Sequence, residues 1–171
     1  MKNRKTIKHK LVEACVFDLD DIFIFEKQVL NDSSEYTSKK NLKRIIKSPK
    51  TQFLLAKDSK GRICAYGIVT LRYYKPIPSG HIYKIAVLPE YRKLGLGSEL
   101  MKELEIFVYK NKIYKVFAEV RESNEASLGM FQKLGYKRVK NLYGHYSCLD
   151  DSYELENGIK LCKVITKTAI K

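Results

Sequence analysis

The sequence predicts an α/β fold with a mixed sheet, because strand-like apolar runs alternate with amphipathic helical segments along its 171 residues. Two strand-like runs, at 51–57 and 62–74, are separated only by the turn residues DSKG, as in an antiparallel hairpin. Two others, at 81–88 and 115–120, flank a helical segment over about 95–110, as in a βαβ crossover. Hairpins combined with crossovers give a sheet of mixed direction.

The chain before the hairpin is expected to hold one strand and two helices. LVEACVF at 11–17 has the apolar content of a strand, and either Asp18 or Asp20 can cap the helix that follows. A second helix, over about 38–47, ends before a proline, because the residue that precedes a proline disfavours helical geometry.

The chain after the hairpin adds two helices and four strands. The third helix has an apolar face made of Leu96, Leu100, Leu104, Phe107 and Val108. KVFAEV at 115–120 is short, apolar and bounded by polar residues, as in a strand buried on both faces. Asn124 is expected to cap a fourth helix, which Gly135 ends, and strands follow at about 136–143 and 158–166. The order βααβββαβαββ gives about seven strands and about four helices.

Length and composition favour one soluble domain over residues 1–171. Apolar residues make up 44% of the chain, which argues against disorder. We find no run approaching the ~18 apolar residues of a transmembrane helix. The basic N-terminus is not followed by the apolar core and cleavage site of a secretory signal. We therefore expect a cytoplasmic protein that makes no membrane contact.

Cysteine spacing and net charge exclude little on their own. The 4 cysteines form no C-x-x-C pair and, with the 3 histidines, offer no zinc-site spacing. Reduced, mostly buried thiols and no bound metal are expected.

The net charge of +14 attracts polyanions such as RNA, a ribosome or cofactor phosphates. A lysine-rich solvated surface is the alternative, because the basic residues are spread along the chain.

The stretch RKLGLG at 92–97 is the most informative, because a strand ends there and glycines open a helix. Glycine lets a ligand approach the backbone closely, and the first N–H groups of a helix favour an anion. Arg92 and Lys93 add positive charge, so the stretch predicts a pyrophosphate site. It lacks the third glycine of a dinucleotide fingerprint and the G-K-S/T of a Walker loop. A helix start with two incidental glycines is the alternative.

GHIYKIAVLPEYRKLGLGSELM, followed by AEVRESNEASLGMFQKLGY at 118–136, resembles the acetyl-CoA core of the GNAT superfamily. Within that superfamily it is most similar to the N-terminal protein acetyltransferases, including the ribosomal-protein alanine type. The resemblance is dense over about 80–136 and loose over 139–155, while residues 1–79 match only in the order of elements. It implies a GNAT fold with a mostly antiparallel central sheet, and an enzyme that acetylates an amine with acetyl-CoA.

The resemblance assigns cofactor contacts to three segments. The strand residues Ile85, Ala86 and Val87 would pair their backbone with the pantetheine arm. The pyrophosphate would be held by Arg92, Lys93, Leu94, Gly95, Leu96, Gly97 and Ser98. Asn124 would contact the cofactor arm, with a purely helix-capping role as the alternative.

Glu119 is the candidate general base. It lies in an apolar strand, where a carboxylate is costly unless it is paired or used, and it matches the glutamate with that role in similar bacterial enzymes. The alternative is a salt bridge, with Arg121 as a partner at the strand end.

The general acid cannot be carried over from the resemblance, because Phe131 occupies the position of the expected tyrosine and has no proton to give. Tyr146 is the substitute that we favour, ahead of Tyr143 and His145. Ordinary packing is the alternative for all three residues. A dedicated acid is also dispensable, because a thiolate is a fair leaving group near neutral pH.

Similar enzymes place the wall of the acceptor-peptide site at positions that match Glu35 and Tyr36, with Tyr143 and Tyr146 as further contacts. An ordinary loop is the alternative for the first two. We expect a protein or peptide N-terminus as the acceptor. Two alternatives stay open. The acceptor could be a small amine or polyamine, or the protein could be an RNA- or ribosome-associated binding module without turnover. The resemblance also leaves open an association with the ribosome and a monomeric or homodimeric state.

Overall fold

A computed structural model describes residues 8–30, 36–74, 77–147 and 155–167. Its strands are β1 (His9–Glu13), β2 (Thr51–Asp58), β3 (Ile63–Arg72), β4 (Ser79–Val87), β5 (Lys115–Arg121), β6 (Lys137–Ser147) and β7 (Leu155–Val164). Its α-helices are α1 (Leu19–Val29), α2 (Lys39–Ile46), α3 (Leu96–Lys110) and α4 (Glu125–Lys133). None of these helices is both long and apolar enough to cross a membrane.

The strands form a seven-stranded mixed sheet in the order β1-β2-β3-β4-β5-β7-β6. The pairing of β4 with β5 is parallel, whereas β1 with β2, β2 with β3, β5 with β7 and β6 with β7 are antiparallel. The order of elements, βααβββαβαββ, and the mostly antiparallel sheet are those predicted from the sequence.

The chain divides into two compact units. The first comprises the described residues within Met1–Thr70 and Tyr83–Leu104, and the second those within Leu71–Ile82 and Glu105–Lys171. That the chain acts as a single domain stays a prediction.

The core of the first unit forms around the β2–β3 hairpin. Residues 53–56 and most of β3 are buried, which explains why both strands are nearly continuous apolar runs. The α1 and α2 helices bury Ile22, Phe25 and Leu42 in the same cluster as Tyr66. Their polar faces remain exposed, so both helices are amphipathic in the sense that the sequence indicates.

The second unit is organised by β5. This strand pairs with Gly80–Ile82 of β4 on one side and along its whole length with β7 on the other. Val116, Ala118 and Val120 are buried, but Glu119 between them is exposed. The expectation that β5 is buried on both faces is therefore wrong, because the face that carries Glu119 stays open to solvent.

The first strand differs from its predicted position. It ends at Glu13 rather than 17, because Val16–Asp18 forms a short 3-10 turn. Asp18 stands at the N-cap position of α1 without a side-chain cap bond. Its carboxylate instead accepts hydrogen bonds from the Cys15 N–H (2.8 Å) and the Lys57 ammonium (2.6 Å). The turn thus places Asp18 against β2.

The described cysteines are free thiols, but they are less buried than expected. Cys64 is buried, Cys162 is half-buried and Cys15 is exposed. Cys148 lies outside the described residues. Burial raises the pKa of both the Cys64 and the Cys162 thiols, so these two stay protonated at neutral pH.

Candidate active site

The first turn of α3 begins immediately after the predicted phosphate-binding segment. The Gly95 carbonyl accepts the first helical hydrogen bond, from the Glu99 N–H over 3.0 Å. The N–H groups of Leu96, Gly97 and Ser98 therefore precede the first possible intrahelical donor and have no helical acceptor. Such N–H groups can bind an anion at the positive end of the helix dipole.

The backbone before α3 takes an unusual course. Lys93 has φ 62° and Gly95 has φ 94°, both in the left-handed region. A Cβ on Gly95 would meet no atom within 4 Å, so glycine is needed for conformation and the space beside it is open. Arg92, Lys93, Leu94 and Gly95 are all exposed, which leaves this backbone accessible. The segment fits a pyrophosphate in shape and in charge.

The end of β4 is tied to this segment through Arg92. The Arg92 Nε donates a hydrogen bond to the Val87 carbonyl over 3.1 Å. Ala86 is buried in the core of the first unit, while Ile85 and Val87 are half-buried. The structure therefore joins two of the three predicted cofactor segments. The guanidinium of Arg92 is oriented by this bond while the residue stays exposed.

Asn124 caps α4, as predicted. Its Oδ1 accepts a hydrogen bond from the Ser127 N–H over 3.0 Å. This bond satisfies one of the N–H groups that the first turn of a helix leaves without a partner. A cofactor contact by the same side chain stays a prediction.

Glu119 lies in a three-residue cluster on the open face of β5. Its Oε1 accepts a hydrogen bond from the Lys160 ammonium at 3.0 Å, and its Oε2 lies 3.2 Å from the His145 Nε2. Lys160 stands directly opposite Glu119 in the β5–β7 register. Burial alone would raise the pKa of Glu119, but Lys160 and His145 hold it below its ordinary value. The carboxylate is therefore ionised at neutral pH.

Arg121 is not the partner of Glu119 that the sequence suggested. It pairs with Glu156 at 3.0 Å, and its guanidinium carbon lies 4.7 Å from the ring centroid of Tyr146. The Tyr146 ring packs edge-on against His145, with centroids 4.8 Å apart, and rests on Gly158. A Cβ at Gly158 would come within 2.8 Å of that ring, so this glycine makes room for it. Tyr146 thus adjoins the Glu119 cluster through His145.

Tyr143 and Phe131 have contrasting surroundings. Tyr143 is 80% exposed. Phe131, which replaces the expected proton donor, is buried and packs edge-on against Tyr136, with ring centroids 5.0 Å apart. Phe131 is therefore a core residue of the second unit. The structure places Tyr146, and not Phe131, next to the Glu119 cluster.

The sequence did not reveal a buried polar network in the first unit. Glu26 of α1 is fully buried, and its carboxylate accepts hydrogen bonds from the Tyr66 hydroxyl and the Thr37 N–H, each at 2.6 Å. The Lys84 ammonium of β4 bonds both Glu26, at 3.0 Å, and the Thr37 hydroxyl, at 3.1 Å. The network fixes the chain just before α2, where Tyr36 lies.

Tyr36 itself is half-buried and meets the Phe23 ring edge-on at 6.4 Å between centroids. This contact places it beside α1, next to the segment that the Glu26 network holds. Glu35, predicted to share the acceptor wall, lies outside the described residues. The role of Tyr36 in acceptor binding stays a prediction.

Comparison with known proteins decides which family contains this arrangement. The sequence profile of the acetyltransferase (GNAT) family matches residues 17–136. The chain belongs to the GNAT acetyltransferase family. It is accordingly an acetyl-CoA-dependent N-acetyltransferase, and the predicted fold, enzyme class and cofactor are confirmed.

Two relatives and one solved structure define its neighbourhood within this family. An N-alpha-acetyltransferase of Sulfurisphaera tokodaii is 26% identical over 159 residues, covering 88% of this chain and 93% of the relative. N-alpha-acetyltransferase 20 of Dictyostelium discoideum is 30% identical, covering 84% and 83%. The ribosomal-protein-S18-alanine N-acetyltransferase of Escherichia coli has the same fold, with a TM-score of 0.77, 20% identity and coverages of 92% and 94%.

Proposed function

We propose that this GNAT enzyme acetylates the α-amino group at the N-terminus of a protein or peptide. The observation that carries the proposal is likeness over most of the chain to proteins named N-alpha-acetyltransferase. The 30% identity with the Dictyostelium protein extends over 147 residues, well beyond the shared cofactor core. The acceptor class is therefore supported by both halves of the chain.

In this proposal the cofactor is held by the chain's own backbone and charges. Bound acetyl-CoA supplies the acetyl group as a thioester that an amine can attack. Arg92, Lys93 and the N–H groups of Leu96, Gly97 and Ser98 bind the pyrophosphate, with Leu94 and Gly95 shaping the segment. Backbone groups of Ile85, Ala86 and Val87 align the pantetheine arm, and Asn124 contacts it from the start of α4.

Glu119 receives the proton of the attacking amine, directly or through water. An α-amino group has a pKa of about 8, so most of it is protonated at pH 7 and must lose a proton before attack. Glu119 suits this role because it is ionised and about one-third exposed. The low pKa keeps Glu119 ionised, and so able to accept a proton, although it also makes the carboxylate a weak base.

Tyr146 is the proposed donor to the departing thiolate. Its ring is held between the Arg121 guanidinium and His145, so the side chain is oriented rather than free to rotate. Phe131 cannot serve, because its side chain is buried and has no dissociable proton. Tyr36 and Tyr143 complete the proposal as contacts for the acceptor peptide.

The proposal also covers the enzyme's surroundings. A cytoplasmic location fits an enzyme that modifies the ends of newly made chains. Association with the ribosome is supported by the net charge of +14, which favours contact with a polyanion.

An acceptor assay tests the proposed function. Purified enzyme and acetyl-CoA are mixed with a peptide library of varied first residues, with spermidine, or with no acceptor, and acetylation is read by mass spectrometry. We expect acetylation at peptide α-amines and no gain above background with spermidine. Preferential acetylation of spermidine, or of lysine side chains in N-terminally blocked peptides, would refute the assignment of the acceptor.

A further inference from the structure

The outer face of α2 and its C-cap residue carry four basic side chains in a single row, here named the α2 stripe: Lys40, Lys43, Arg44 and Lys47. All four are exposed. Their spacing of i, i+3, i+4 and i+7 places them within about 100° of the helix circumference, at roughly 100° per residue. The opposite face, with Leu42, is buried in the core, so folding fixes the direction in which the stripe points.

The helix itself accounts for only part of the α2 stripe, because Lys43 and Arg44 lie in its last turn, where the helix dipole favours positive charge. Like charges three and four residues apart on a helix repel each other. The first turn of α2 contains no acidic residue, although the positive end of the helix dipole favours one. Some lysines elsewhere in the first unit have acidic partners, as Lys57 has Asp18 and Lys84 has Glu26. Within the described ranges no side chain of the stripe forms an ion pair.

We infer that the α2 stripe is a docking surface for RNA. A polyanion would relieve the repulsion along the stripe, and release of its counterions would drive the association. A membrane fits less well, because a helix that lies on lipid presents an apolar face to it, whereas the apolar face of α2 is buried. The inference depends on the proposed function in one respect only, namely that the ribosome is the source of the RNA.

Binding of a fluorescein-labelled, unstructured 20-nucleotide RNA, followed by anisotropy across a salt series, tests the inference. The variant Lys40→Gln/Lys43→Gln/Arg44→Gln/Lys47→Gln removes the stripe with a residue that favours helices equally well. The matched control Lys110→Gln/Lys133→Gln/Lys137→Gln/Lys140→Gln removes the same charge from other exposed positions. Anionic vesicles and poly-glutamate are the competing polyanions.

We expect the stripe variant to bind the RNA about 100-fold more weakly at 0.1 M salt, with a salt slope shallower by about 3, while the control loses much less. An equal loss in both variants would overturn the inference, as would vesicles or poly-glutamate that bind the wild type more tightly than the RNA does. In the wild type, RNA should shield the stripe lysines from amine-reactive labelling, which needs no variant. Peptide acetylation without RNA should be unchanged in the stripe variant, so failure of the proposed function would be seen separately.

Discussion

The hydroxyl of Tyr66 donates a 2.6 Å hydrogen bond to the fully buried carboxylate of Glu26. Three donors, from Tyr66, Thr37 and Lys84, converge on this one carboxylate. A buried charge with this many partners is stabilised by them but is very sensitive to the loss of any one. The network therefore links α1, β3, β4 and the chain before α2 into one unit.

Removal of Glu26 should destabilise the protein far more than removal of a surface carboxylate. Glu26→Ala removes the carboxylate that accepts hydrogen bonds from Tyr66, Thr37 and Lys84, and we expect a loss of about 3–5 kcal/mol in the free energy of unfolding. Tyr66→Phe removes one donor and should cost about 1–2 kcal/mol. Urea denaturation measures both. The exposed pair of Lys39 and Asp20 provides the control, because Asp20→Ala should cost less than about 1 kcal/mol.

Gly95→Ala tests whether the left-handed backbone before α3 matters for the cofactor. Alanine at φ 94° is strained by about 1–2 kcal/mol although no neighbour would touch its Cβ. We expect a small loss of stability and a larger loss of affinity for coenzyme A, measured by calorimetry. Gly129→Ala, inside α4 and equally free of neighbours, should stabilise the protein by about 0.5–1 kcal/mol with unchanged affinity. Equal affinities for the two variants would contradict the assigned role.

The sequence predicted the order of all eleven elements because each contains a period or a cap that is local. Asn124 and the glycines before α3 are local signals of this kind. The partners of Glu119 were missed because the pair with Lys160 depends on the register of β5 against β7, 41 residues apart. Glu26 escaped notice for a related reason. In the sequence it is one acidic residue of an amphipathic helix, and only the packing of β3 and β4 shows that it faces inward.

The pH dependence of stability should show the signature of a histidine that is kept neutral. Burial, reinforced by the charges of Arg72 and Lys160, lowers the pKa of His81 to about 4. In the unfolded chain the pKa is about 6.5, so that state binds more protons as pH falls from about 6.5 to 4. We therefore expect stability to decrease over this window, measured by urea denaturation at each pH. His81→Phe, which keeps a ring against Phe117, should flatten the decrease between pH 6.5 and 5. An unchanged slope would contradict the prediction.

Asn124 has a capping role that can be separated from a ligand role. Asn124→Asp keeps an oxygen that can accept from the Ser127 N–H, so stability should stay within about 0.5 kcal/mol, whereas Asn124→Ala should lose about 1 kcal/mol. If Asn124 also contacts the cofactor, as proposed, the aspartate variant should bind coenzyme A at least several-fold more weakly, because it adds a negative charge near a polyanion. Wild-type affinity in the aspartate variant would leave capping as its function.

Glu119→Gln separates catalysis from packing most directly. The amide keeps the shape of the side chain but cannot take a proton, so kcat/KM for a peptide should fall about 100-fold at pH 7 with unchanged affinity for coenzyme A. Above pH 9 the α-amine is already neutral, and the rates of the wild-type and variant enzymes should converge.

Glu122→Gln, the same change on an exposed carboxylate beyond the end of β5, is the control and should keep the wild-type rate. Because Lys160 and His145 hold the pKa of Glu119 low, the fall in wild-type rate below pH 8 should follow the amine and not this carboxylate. A wild-type rate for Glu119→Gln at pH 7 would show that its contacts with Lys160 and His145 serve only the sheet.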